Sequence, residues 1–205
     1  MATGRTLQKW VQIYIRGYQL CGFTRSIGPL IWQYDIADLT TMCDGVRGGL
    51  PAHVKLGVGT LNGVMSADGD LHAILSGLSN SSSLITIPIG IRATPILGDP
   101  VYIGYFYNNG YESTDDGGAS VVNIPFGDWD VANLIGYSKP WGNLLLAYGE
   151  IGSPTVNTSI GIDDRGAATT AGGYFVYHLI DSNGTITLKA QDAATNVEVP
   201  LLSIK

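Results

Sequence analysis

The sequence predicts an all-β protein: an antiparallel β-barrel or sandwich with one short helix over about 68–78, plus a smaller C-terminal β-sandwich-like segment. Three observations carry this. The 205 residues include 28 Gly and 9 Pro, and short apolar or alternating runs lie between these punctuation points, as in chains of many short strands. A single stretch has helical apolar spacing. Hydrophobic residues make up 45% of the chain and charged residues only 14%, so part of the surface is expected to be buried against other subunits.

In chain order, residues 11–15 (Val-Gln-Ile-Tyr-Ile) alternate and predict the first strand. Residues 30–34 follow Gly28-Pro29 and predict another, carrying Trp32. Residues 54–58 and 60–64 predict a strand pair, with Gly59 between them as a bulge or kink. The helix is expected over 68–78. Asp68 or Asp70 would cap it, and Leu71, Ile74, Leu75 and Leu78 make one apolar face. Gly77 and Asn80 suit its end, and His72 lies off the apolar face, toward solvent.

Beyond Ser81-Ser82-Ser83, residues 84–91 alternate around Pro88, which suits an edge strand or a strand end. Residues 101–107 form an aromatic-rich strand, 112–120 a polar Gly-rich loop, and 121–126 a strand. The chain turns at 139–142 and is apolar again over 144–148. Residues 174–180 and 185–190 predict two strands joined through Asn183-Gly184, a hairpin signal, and 197–204 a final strand. Small residues and an acidic turn after 150 place a boundary between 1–150 and 151–205.

The formal net charge is −6 and uneven. Residues 1–60 hold six Lys/Arg and three Asp/Glu, and residues 61–205 hold five and fourteen. An acidic body lacks the basic stripe that sequence-specific DNA binding needs, but suits a surface past which DNA slides. No run reaches the length of a membrane span. Met-Ala-Thr-Gly-Arg at the start lacks the apolar core of a signal peptide, so synthesis in a reducing cytoplasm is expected, with Cys21 and Cys43 as free thiols. The Asn-x-Ser/Thr triplets at Asn80, Asn157 and Asn183 then read as chance.

The search for chemistry gives structural readings throughout. There is no Gly-x-Ser-x-Gly elbow. Gly57 to Gly63 has the wrong spacing and no Lys for a phosphate loop. His53, His72 and His178 are scattered, without metal-ligand spacing. Asp115-Asp116 and Asp163-Asp164 read as solvated turn acids. No catalytic residue, cofactor or metal is therefore expected. Tyr105 and Tyr107 lie in the aromatic strand, as alternating core and interface or as a sugar-stacking platform. Gly48-Gly49-Leu50-Pro51 and Gly152-Ser153-Pro154 read as turns beside apolar strands. Leu50, Pro51, Ile151, Pro154, Tyr105 and Tyr107 are accordingly the candidates for subunit interfaces.

One order of features runs along residues 10–130. Tyr14-Ile-Arg-Gly-Tyr-Gln-Leu20 precedes Gly22-Phe-Thr-Arg-Ser-Ile-Gly-Pro-Leu30, Asp38-Leu-Thr40 and Gly48-Gly-Leu-Pro51. Gly59-Thr-Leu-Asn-Gly63, Asp70 to Leu75, Ile87-Pro-Ile-Gly90, Gly104-Tyr-Phe106 and Asn123-Ile-Pro-Phe-Gly127 follow. This order resembles the tail tube (major tail) proteins of tailed bacteriophages. Residues 163–174 and 186–192 also resemble a segment of other phage structural proteins, such as capsid decoration (cement) proteins. The resemblance implies a tail-tube-like β-barrel over 1–150 and a C-terminal β segment packing on it or on a neighbour. It implies a virion structural protein assembled in the host bacterial cytoplasm, partnered by copies of itself as a ring or a trimer and by other virion proteins. DNA would be passing cargo, and no membrane is involved. The alternatives are a trimeric capsid decoration protein and a carbohydrate-binding adhesin module.

Overall fold

The computed structural model describes residues 10–20, 22–43, 45–65, 69–78, 81–91, 93–115, 120–129, 140–145, 176–177, 186–192 and 197–204. These residues are mostly β. In chain order they form β1 (Tyr14–Ile15), β2 (Tyr18–Gln19), β3 (Thr24–Asp38), β4 (Gly49–Val64), α1 (Gly69–Gly77), β5 (Ser82–Pro88) and β6 (Pro100–Asn108). Then come β7 (Glu112–Asp115), β8 (Ser120–Trp129), β9 (Trp141–Asn143), β10 (Ile186–Asp192) and β11 (Val197–Ile204).

The first nine strands make one open antiparallel sheet in the order β2-β1-β5-β6-β8-β4-β3, with β7 also on β8 and β9 also on β6. β10 and β11 pair with each other as a two-stranded sheet. The expected boundary near 150, the hairpin at Asn183-Gly184 and most of residues 174–180 lie outside the described residues.

Local chemistry explains the turns. Ile15 pairs with Tyr18, so Arg16 and Gly17 are the whole β1–β2 loop. Their φ values of 49° and 86° make the mirror-image turn that matches strand twist. The first predicted strand is regular only over its last two residues. Its earlier part still tracks β5, with the Gln12 amide donating to Pro88 O at 3.0 Å and Val11 bridging Ile89. Pro88 ends β5, where a missing N–H breaks no ladder.

The core gathers Ile13, Ile15, Leu20, Ile85, Ile87, Tyr102, Phe106, Val122 and Ile124, with Leu75 from α1 and Leu78 from the turn just after it. A helix of nine residues is too short to stand alone in water, and this packing holds it. His72 is exposed, as the spacing predicted. Its Nδ1 lies 2.8 Å from the Tyr111 hydroxyl, with the rings edge to face at 5.3 Å.

The structure corrects several expectations. Residues 54–58 and 60–64 are one strand, since β4 runs from Gly49 to Val64, and Gly59 is no bulge, since Thr60 and Val58 keep register with Gly28 and Leu30. A Cβ at Gly59 would collide with the Gly28 carbonyl and the Pro29 ring across the β3–β4 pair, so glycine is required for close approach. The irregularities of that pair fall instead between Thr24 and Ser26 and between Tyr34 and Ile36. The polar stretch from Glu112 is a strand as far as Asp115, held by backbone pairing to β8. The turn expected at 139–142 contains the short strand β9, paired with β6. Leu50 and Pro51 are not in a turn either. They open β4, opposite Ala37 and Ile36.

Candidate functional site

The feature that stands out is the distal half of the β3–β4 pair. β8 runs beside β4 only from Gly57 to Val64, whereas β3 pairs with β4 back to Asp38 and Gly49. Beyond Gly57 the two strands continue as a ribbon without β8 beside it. From Ile31 to Asp38 it extends for about 23 Å at the usual rise of an extended strand. Every described residue from Trp32 to His53 is exposed.

The ribbon is amphipathic. Trp32, Tyr34 and Ile36 alternate with Gln33, Asp35 and Ala37 along β3. Across the pair, Tyr34 faces Val54 and Ile36 faces Pro51, while Gln33 faces Lys55. One face therefore carries Trp32, Tyr34, Val54, Ile36 and Pro51, and it continues the β4 face that buries Leu56 and Val58 in the body. Trp32 and Tyr34 lie with ring centroids 6.4 Å apart. A solitary two-stranded ribbon is at best marginally stable in water, and single exposed apolar side chains mean little whereas contiguous ones mark contact surfaces. Val54, at its foot, still packs against the core, but farther out no described residue covers the face: Trp32 and Tyr34 are exposed and Ile36 is 73% exposed.

The tip is latched. Asp38 Oδ1 accepts the Thr40 amide at 2.9 Å and the Thr40 hydroxyl as well. Arg47 Nη2 lies 2.9 Å from Asp38 Oδ2. The Leu39 amide donates to Gly48 O at 3.0 Å, and the Gly48 amide donates to Thr40 Oγ1 at 3.1 Å. The Thr40 hydroxyl, then the Thr40 amide and Arg47, hold the Asp38 carboxyl below its ordinary pKa. This latch presents Leu39, Met42 and Val46 outward, Met42 fully. Cys43, also at the tip, carries an exposed free thiol, and Cys21 lies outside the described residues.

The foot of the ribbon is clamped from across the core. Tyr102 of β6 is fully buried, and its hydroxyl sits 2.7 Å from Ile31 O and 2.8 Å from Gly57 O. Burial pushes its pKa up to about 12. Its ring stacks on Phe106 at 6.0 Å and meets the Trp141 ring edge at 5.1 Å.

Of the candidate interface residues, Leu50 and Pro51 are exposed on this ribbon. Tyr105 and Tyr107 lie elsewhere, on one face of β6 opposite Leu84 and Ser82. Tyr107 is exposed, and Tyr105 lines an open groove of about 420 Å³ with Arg16, Ser82 and Tyr177. Ile151 and Pro154 lie outside the described residues. Trp32, Tyr34, Ile36 and Met42 were not singled out from sequence as interface candidates. The signal that could have found them is the period-2 apolar alternation running on past Tyr34.

Among the described residues, no three His, Cys, Asp or Glu side chains gather as a metal site. No described helix is long and apolar enough to cross a membrane. The chain matches no protein-family model, and no curated protein is similar to it.

Proposed function

We propose that this chain is a non-enzymatic virion structural protein of a tailed bacteriophage, and that it self-assembles through the β3–β4 ribbon as a tail tube subunit, lining a conduit for DNA. The observation that carries the reading is the ribbon itself: an amphipathic strand pair with a latched tip, whose apolar face from Trp32 to Ile36 is exposed. Such a surface is costly to leave in water and gains its cover from another subunit.

Two further features support it. The sheet is open, ending on β2 and β3, and in a ring such edges close against neighbours as a barrel-like wall. The net charge of −6 suits a wall that repels passing DNA rather than holding it.

Electron microscopy of the purified full-length chain tests the proposal. Stacked rings or long tubes are expected, six-fold in end view. Stable trimers that bind only assembled heads would instead identify a capsid decoration protein. A chain that stays monomeric at every concentration, yet binds glycans through Tyr105 and Tyr107, would replace assembly with the adhesin reading.

A further inference from the structure

A second apolar surface lies at the foot of the ribbon. The loop between β5 and β6 exposes Ile91, Ile96 and Leu97, and β9 exposes Trp141. These side chains sit at the ribbon's end of the sheet, because Trp141 pairs with Tyr102, whose hydroxyl bonds the carbonyls of Ile31 and Gly57 where the ribbon departs. The loop is firmly built. The buried Asp99 accepts the Ile96 amide at 2.9 Å through its carboxylate and donates its own amide back to Ile96 O at 3.1 Å. Gly98 N donates to Leu144 O, and Leu144 N to Asp99 O, each at 2.8 Å. Ile96 and Leu97 are thus held outward on a fixed shelf, 63% and 47% exposed.

We propose that the apolar face of the ribbon of one copy seats on this shelf of a second copy. The inference rests on the self-assembly reading above and names the contact that achieves it. Among the described residues nothing covers either surface: Ile36 on the ribbon and Ile96 on the shelf are 73% and 63% exposed. The exposed side chains of Trp32, Tyr34 and Ile36, the four shelf residues, the tip and Leu50 together present roughly 1,000 Å², so covering them all reaches the lower bound of a specific interface. Ribbon and shelf are different patches, so the contact is head-to-tail. It leaves one ribbon and one shelf open at the ends of an open row of subunits, so the row either grows as a filament or closes as a ring, unlike a two-fold dimer.

The test uses two full-length variants, Ile36→Asp on the ribbon and Ile96→Asp on the shelf, with sedimentation velocity and native mass spectrometry as readouts. Both positions are well exposed, and circular dichroism verifies folding. Met42→Glu, at a fully exposed position, is the second ribbon variant should Ile36→Asp misfold. At a concentration where the wild type is assembled, each variant alone shows at least a ten-fold smaller assembled fraction. An equimolar mixture of the two forms a one-to-one dimer, because the shelf variant keeps its ribbon and the ribbon variant keeps its shelf. A mixture that stays monomeric overturns the proposal, and so does a shelf variant that assembles like the wild type. In either case an assembling wild type leaves the self-assembly reading standing. A wild type that never assembles removes both.

Discussion

β6 and the distal β3–β4 ribbon have the same kind of sequence and opposite surroundings. In β6, Tyr102 and Phe106 are fully buried. In the ribbon, Trp32, Tyr34 and Ile36 alternate just as regularly and are exposed. The difference is in the neighbours. β6 has β5 on one side and β8 and β9 on the other, whereas the ribbon strands have each other and outrun β8 at Gly57. Period-2 alternation thus marks a face that is to be buried, and says nothing of whether the cover comes from the same chain.

The sharpest way to probe that contrast is to truncate one large side chain in each region. Phe106→Ala removes a fully buried ring stacked on Tyr102 and is expected to cost about 3–5 kcal/mol of folding stability, from lost transfer energy and the cavity left behind. Chemical denaturation monitored by circular dichroism measures it. A loss under about 1 kcal/mol would show that this part of the sheet is not the core.

Next in size is the clamp between the two regions. Tyr102→Phe removes the hydroxyl whose single proton is shared between the Ile31 and Gly57 carbonyls and is expected to cost about 1–3 kcal/mol. The effect depends on pH. The folded pKa of about 12 lies above the ordinary value of 10.0, so the fold favours the protonated phenol. The contribution is fully present below about pH 10 and is lost as pH rises through 12. The wild-type chain should therefore lose stability relative to Tyr102→Phe between pH 10 and pH 12. Equal slopes for the two proteins would place the phenol in water.

Much of the body was legible. Apolar alternation and Gly/Pro punctuation located β5, β6, β8, α1 and β11 close to their observed bounds; in β5 and β6 the side chains that pack are also the ones that set the pattern. β7 was missed because Glu112-Ser113-Thr114-Asp115 has no apolar face, and its pairing to Val121–Asn123 is a matter of backbone alone. The ribbon was only half legible. Leu30 to Tyr34 was recognised, but the alternation was not followed past Tyr34 to Ile36, and Gly49, Leu50, Pro51 and Ala52 resemble a turn. Only the register, with Ile36 opposite Pro51 and Asp38 opposite Gly49, makes them strand. Leu50 and Pro51 were named from turn chemistry and lie on the ribbon for another reason.

Ile36→Ser addresses the other side of the comparison. In the monomer this exposed residue has little to lose, and the change should stay within about 0.5 kcal/mol. In assembled wild-type protein the ribbon should gain protection. Amides from Trp32 to Asp38 should exchange rapidly in dilute monomer and at least ten-fold more slowly after assembly, and Ile36→Ser should abolish that gain. Slow exchange already present in the monomer would mean that the ribbon is stable without a partner.

The smallest effect belongs to the tip. The Asp38 carboxyl is held below its usual pKa by the Thr40 hydroxyl and amide and by Arg47, so the latch is present above the ordinary carboxylate range and is lost as pH falls through the lowered value. An exposed ion pair adds little to global stability, and Asp38→Asn should leave the melting temperature almost unchanged. What the latch controls is how well the tip is prepared for a partner. An ordered loop loses less freedom on docking than a loose one. Asp38→Asn should therefore weaken assembly modestly, by a few-fold in midpoint concentration at neutral pH. Lowering the pH should weaken the wild type toward the variant and leave the variant itself comparatively unmoved. Were both proteins to assemble alike at neutral pH, the latch would be a local feature of the loop, and the ribbon face alone would carry the contact.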